Sequence, residues 1–352
     1  MNLKKIIKKL LLLIIIVVLL LGGYNILKKY NIKAGLEALK SKGFLITDYS
    51  NLKGSKLTGD NYSFDSTYNP YYGMLSNDGK KLYRQVYANM VHRKKVFIPR
   101  VKMHYKDVNN VIEAVNNDNP ELFWVDNKYS YKYTPDKVCR QVILDYNGLA
   151  KNYSYNKRVF DNKVNRIVSA ANRLSSSYEK ELYVHDQLRN SIVYDKNSSY
   201  NQTSYSALVN GRTVCAGYAK AFQYIMSRLG IPTYYVTGVS QNEEHAWNII
   251  KLDGYYNVDV TWDDTSGSSY AYFNKTDSNF NRTHYRKGLS RYLPKCNATK
   301  YSYSNMNKPV KKKPTNKTVP KETPKVTPPE ENKSDIEDDT NPTEEEQIEI
   351  EQ

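Results

Sequence analysis

The feature that most limits how this chain can fold is the run from Gly211 to Gly238, GRTVCAGYAKAFQYIMSRLGIPTYYVTG, followed shortly by HAWNIIKLDGYYNVDVTWDD. Tyr218, Phe222, Ile225, Met226 and Leu229 stand at i, i+4, i+7, i+8 and i+11, one stripe of a helix. Gly230 in a C′ position and Pro232 soon after supply the stop. Cys215 therefore falls in or near the first turn. The second run reads as two strands around Leu252-Asp253-Gly254, with His245 opening the first and Asp259 late in the second.

Whether His245 and Asp259 can meet is a matter of parity. A two-residue loop at Asp253-Gly254 would set 248 opposite 259 and place Asp259 on the other side of the sheet from His245. A three-residue loop, Leu252 to Gly254 with Gly254 left-handed, pairs 251 with 255 and 247 with 259. His245 and Asp259 then share a face as diagonal neighbours. This register is the expected one because it segregates polarity. Ala246, Ile250, Tyr256, Val258 and Val260 line one face and His245, Trp247, Asn257 and Asp259 the other, with Asn248 and Ile249 as exceptions.

A thiol at a helix N-terminus faces unpaired backbone N–H groups and the positive end of the helix dipole, which favour the thiolate and can hold a developing oxyanion. Alone, such a cysteine is more often a packed small residue. A histidine and an aspartate that can share one face downstream change the reading. Cys215, His245 and Asp259 become the candidate catalytic residues: nucleophile, base and orienting acid. Tyr205, upstream of the cysteine, is the candidate for a second oxyanion donor.

Around this segment the chain divides by pattern. Residues 1–29 read as an N-terminal membrane anchor: Leu10 to Leu27 carries no charge, follows Lys4, Lys5, Lys8 and Lys9, and is long enough to cross a hydrocarbon core of about 30 Å. LGGYNILKKYN offers no small-x-small cleavage site, so an uncleaved anchor with the body outside the membrane is expected. After a polar spacer (30–69), residues 70–150 form a small α+β region. LSNDGKKLYRQVYANMVHRKK has helical spacing, VFIPRVKMHY strand character, and DVNNVIEAVNND is a helix that Asp107 can cap. ELFWVDN, YSYKYT and CRQVILDY read as short strands. Two helices fit Asn156 to Ile192, at the start of the domain 151–304. The tail, 305–352, is rich in Pro, Lys and Glu and reads as disordered.

Charge and cysteine usage narrow the classes. The formal net charge is +16, but the tail's 8 Lys against 12 Asp or Glu leave +20 on the remainder. Such a body attracts anionic polymers, and the cluster Arg93, Lys94, Lys95, Arg100 and Lys102 is its best patch. No reading helix or RNA-binding motif is present, so nucleic acid is not expected as a partner. The 33 tyrosines suit half-wet, ligand-holding surfaces, or they reflect lineage composition. Of the three cysteines, either Cys139 and Cys296 pair and Cys215 stays free, or all three remain thiols, the preferred expectation. No CxxC or HxxxH pair exists, so no metal or other cofactor is expected.

The chain resembles the transglutaminase-like superfamily, relatives of papain-type cysteine proteases, in GRTVCAGYAKAF, LGIPTYYVTG and HAWNIIKLDGYYNVDVTWDD, over about residues 155 to 275. Weaker similarity extends to 75–150, and YFNK and LPKC occur often in membrane-anchored bacterial members. The resemblance implies an α+β fold with a papain/transglutaminase-like core, the nucleophile helix packed on an antiparallel sheet. It assigns Cys215 as nucleophile, His245 as base and Asp259 as orienting acid, with Trp247 and Trp262 at flanking aromatic positions. Calcium-binding features of the animal cross-linking enzymes are not visible, since Asp263 and Asp264 make no ligand loop.

The resulting expectation is an anchored cysteine peptidase or amidase at the cell surface, acting on protein or peptide amides. Cross-linking of glutamine side chains to amines is the nearest alternative. A noncatalytic cell-surface module that binds anionic wall polymers or lipid is the other.

Overall fold

The computed structural model describes residues 34–307 other than 36, 41, 268 and 269. The anchor read at 1–29 and the tail beyond 307 lie outside the described residues. Among the described residues, no helix is long and apolar enough to cross a membrane.

The fold of the described residues is carried by the helices α1 (Asn77–Val91), α2 (Tyr105–Asp118), α3 (Tyr153–Ala171), α4 (Ser177–Ser191), α5 (Cys215–Arg228) and α6 (Val260–Thr265). Their starts follow capping chemistry. Ser76 Oγ accepts from Gly79 N at 3.1 Å before α1, and Ser176 with Glu179 forms a reciprocal capping box before α4. Helix α2 starts three residues earlier than Asp107 would allow as a cap, because His104 Nδ1 accepts the Lys106 amide at 3.1 Å. At the far end of α5, Gly230 (φ +75°) donates to Ser227 O and Ile231 to Met226 O, the paired bonds of a Schellman stop.

Among the described residues the strands form three sheets. Strands β1 (Val96–Phe97), β2 (Val125–Tyr133) and β3 (Cys139–Tyr146) make an antiparallel sheet in the order β1-β3-β2. The stretches ELFWVDN and YSYKYT thus supply one strand, β2, and Leu122 to Trp124 precede it in a turn. VFIPRVKMHY gives strand only at Val96–Phe97; Pro99, with no backbone N–H to offer a ladder, follows two residues later. A short parallel pair, β4 (Val193–Tyr194) with β5 (Arg212–Thr213), leads into α5.

The third sheet is antiparallel, ordered β8-β7-β6-β9, from β6 (Thr233–Ser240), β7 (Glu243–Lys251), β8 (Tyr255–Val258) and β9 (His284–Arg286). Lys251 pairs with Tyr255 and Asn248 with Val258, so Leu252, Asp253 and Gly254 form the expected three-residue loop. Gly254 is not left-handed, in contrast to the expectation. Strand β8 stops at Val258, one residue before Asp259, and Val260 opens a helix rather than extending the strand.

Both faces of this sheet are buried, which explains the two residues that broke the polarity pattern. Ile249 packs into the core, and Asn248 Nδ2 donates to Ala219 O of α5 at 3.0 Å and to Tyr234 O at 3.3 Å, tying helix to sheet. One apolar core runs from Leu82, Val86 and Ile112 through Phe222 and Ile225 to Tyr256 and Val258, so regions 70–150 and 151–304 are packed together. Cys139 and Cys296 are buried free thiols, and burial pushes each up to about 12.

Candidate active site

Cys215 is the first residue of α5, and the turn before it is tightly held. Gly211 takes φ +65°, Arg212 and Thr213 pair with Val193 and Tyr194, and Thr213 Oγ1 donates to Asn201 O at 2.5 Å. A Cβ at Gly217 would lie 1.9 Å from that Oγ1, so only glycine lets the first turn of α5 sit against the loop. Among the described residues the amides of Cys215 and Ala216 have no protein acceptor, as expected of the first turn of a helix. The thiol itself is half-buried.

His245, the third residue of β7, lies between two partners. Its Nε2 donates to Asp259 Oδ2 at 2.6 Å, and the Cys215 side chain is close enough to interact with the ring. Burial disfavours the charged ring, but the Asp259 carboxylate and the Cys215 sulfur outweigh it and raise the imidazole from 6.5 to about 10. Trp247 stacks near the ring at 6.1 Å and Trp262 tilts over it at 6.0 Å, walling it from water.

Asp259 is only 1% exposed. It is the N-cap of α6, its Oδ1 accepting from Trp262 N at 3.1 Å, while Oδ2 serves His245. One carboxylate thus caps a helix and orients a ring. Burial would raise its pKa, yet the neighbouring imidazoles hold it well below the usual carboxylate range.

The structure therefore brings together the three residues singled out from sequence. It also adds one that sequence reasoning missed. His284, fully buried on β9, shares the same oxygen, its Nε2 lying 3.1 Å from Asp259 Oδ2, while its Nδ1 is 2.8 Å from Thr283 Oγ1. Gly238 beside it admits no side chain: a Cβ there would lie 2.2 Å from Tyr285 O. Among the described residues, His245, Asp259 and His284 are also the group whose ligand atoms, all within 4.8 Å, could admit a metal ion. Here the carboxylate already serves as acceptor for both rings.

A second polar network braces α6 from behind. Buried His185 of α4 reaches Asp186 Oδ1 from Nδ1 at 3.1 Å and Asp263 Oδ2 from Nε2 at 3.0 Å. Burial opposes its charge, but the two carboxylates raise its pKa. Asp263 also accepts the Tyr272 amide at 2.8 Å, and Tyr218 donates to Asp264 at 2.6 Å. The two aspartates after Asp259 are thus structural partners of α4 and α5. Sequence could have flagged His185 only as a polar residue on an apolar helix face.

Tyr205, the expected second oxyanion donor, is committed elsewhere. Its hydroxyl donates to Asn156 at 3.2 Å and its ring packs on Phe123 and Phe160. Tyr194 of β4 and Tyr235 of β6 are close enough to Cys215 to feel its charge, and Tyr194 and Cys215 pack against the same small cluster.

Comparison with known proteins finds likeness in the central segment of the chain. Residues 161–260 match the model of the transglutaminase-like superfamily. Solved structures similar to the chain include a TGase, 14% identical over 47% of this chain and 50% of that one, with a TM-score of 0.27. A candidate cysteine protease from Cytophaga hutchinsonii is 18% identical over 35% of this chain and 51% of that one, also with a TM-score of 0.27. The chain thus spans about half the length of each. No curated protein matches. The likeness to the transglutaminase-like superfamily thus rests on residues 161–260, the segment that holds Cys215, His245 and Asp259.

Proposed function

We propose that this protein is a cysteine acyl-transfer enzyme that hydrolyses protein or peptide amides, with Cys215 as nucleophile, His245 as base and Asp259 as its orienting acid. The observation that carries the reading is the position of His245, 2.6 Å from a buried carboxylate and near enough to the helix-terminal Cys215 to feel it. In this reaction the charged His245 ring already holds the proton given up by the thiol, and as the Cys215 thiolate Sγ bonds to the acyl carbon the carbonyl electrons move onto oxygen. The free amides at the start of α5 face the resulting oxyanion, and the Tyr194 phenol beside the thiol offers a further donor. Collapse breaks the C–N bond, with His245 returning its proton to the leaving amine. Water then attacks the thioester, giving its proton to His245, and the C–S bond breaks. The charge-free run Leu10 to Leu27 supports action outside the membrane, at the cell surface.

Cross-linking requires only that a second amine replace water. Incubation with an activated acyl ester, followed by intact-mass analysis, tests the reading. An acyl adduct on Cys215 that decays to free acid despite added amine supports hydrolysis, and capture by the amine supports cross-linking. Failure to form any adduct on Cys215 would contradict both. The binding-module alternative draws on the basic body, yet within its best patch Lys95 faces Asp145 at 3.5 Å, Arg100 pairs with Asp60, and Arg93 lies over Tyr153.

A further inference from the structure

A groove built mainly from amides and one lysine borders α5, the helix that Cys215 begins. A cavity of about 340 Å³ is bounded by Glu113, Asn117, Asn127, Lys220, Tyr235 and Thr237. A second, of about 160 Å³, has Asn147, Gln202 and Thr203 in its walls and shares Asn116, Asn127 and Lys220 with the first. Lys220 is therefore the charged side chain at which the two meet. It sits on α5, five residues after Cys215. Tyr235 links groove to thiol: its ring lies 5.5 Å from the Lys220 ammonium, and its phenol feels the charge of Cys215.

The Lys220 ammonium is poorly compensated. It donates to Gln202 O at 3.2 Å, and among the described residues no carboxylate lies within 4.0 Å of it. Burial lowers its pKa to about 8, with no charged partner offsetting that cost. Glu113, on the opposite wall, is engaged elsewhere, accepting from the Leu289 amide. A half-buried ammonium with two donors unspent by the protein favours an incoming anion. The surrounding Asn and Gln side chains both donate and accept, as a peptide backbone requires.

We infer that this groove is a substrate subsite in which Lys220 binds a carboxylate of the acyl substrate, so that the protein prefers acidic peptides. The inference rests on the reading of Cys215 as nucleophile. The carboxylate has two sources, an internal acidic side chain or a C-terminus, and the test separates them.

The full-length chain carrying Cys215→Ala is titrated calorimetrically with four peptides alike except for internal Glu or Gln and a free or amidated C-terminus. A charge-assisted pair predicts that one acidic form binds at least about tenfold tighter than its neutral counterpart. Lys220→Gln, added to Cys215→Ala, levels the two, and Lys220→Glu reverses the preference toward a peptide with Lys in place of Glu. Equal affinity for acidic and neutral peptides, a preference that survives Lys220→Gln, or no binding by any of the four overturns the inference. Labelling of Cys215 by a thiol-directed probe in the unmutated protein is scored separately. Labelling without acid preference sinks the subsite alone, and acid preference without labelling sinks the enzymatic reading alone.

Discussion

Asp259→Asn isolates the charge that the site depends on. Asn keeps an oxygen able to accept the Trp262 amide, so the cap on α6 survives while the negative charge is lost. The span from the ordinary imidazole value of 6.5 to about 10 corresponds to about 5 kcal/mol of preference for charged His245, opposed by burial and supplied first by Asp259. Without the carboxylate, burial is opposed by Cys215 alone, and His245 of the variant should titrate well below about 10. Histidine resonances followed by NMR across pH read this directly: charged to well above neutral pH in the parent, and only to a lower pH in the variant.

Stability carries the same signature. Because the folded-state value of His245 is raised, its contribution is full below about 6.5 and is lost as pH rises toward about 10. The denaturation gap between parent and variant should shrink over that interval. At the acid end Asp259 is held low, so the pair persists until pH falls below the usual carboxylate range. A variant His245 still charged near pH 8, or a stability gap that does not change across the interval, would refute the reasoning.

Two further substitutions probe what holds the site. Gly217→Ala forces a Cβ to within 1.9 Å of Thr213 Oγ1 and 2.9 Å of Thr203 O, and should cost about 1–3 kcal/mol while slowing thiol labelling at Cys215. Unchanged Tm and labelling would show that the turn before α5 is not fixed by that contact. His185→Leu strands Asp263, whose buried carboxyl then has only the Tyr272 amide, and should lower stability by about 3–5 kcal/mol in urea titration. A loss under 1 kcal/mol would contradict the bracing role given to that network.

The parts of the site readable from sequence were those that local rules govern. The helix stripe and Gly230 placed Cys215, and the loop length fixed the side of the sheet on which His245 and Asp259 lie. Asp259 as a cap escaped notice because VDVTWDD continues the strand pattern, and only the carboxylate's bond to Trp262 N shows where the helix begins. His284 escaped for a different reason. It lies 25 residues beyond Asp259, in a three-residue strand whose pairing with β6 depends on the whole sheet. Tyr205 was misassigned because proximity in sequence says nothing of ring direction, and Phe123 and Phe160 draw that side chain into the core. The lysine groove needed α2, β2, α5 and β6 assembled before it existed at all.

The central claim is that His245 activates Cys215, and the most direct test compares their coupling in solution. Rates of Cys215 labelling by a thiol-directed acyl probe are measured across pH for the unmutated protein and for His245→Ala. The account predicts labelling near neutral pH more than about tenfold faster in the unmutated protein, with the two rates converging at alkaline pH. Equal rates near neutral pH would mean that the imidazole and the thiol do not act as a pair.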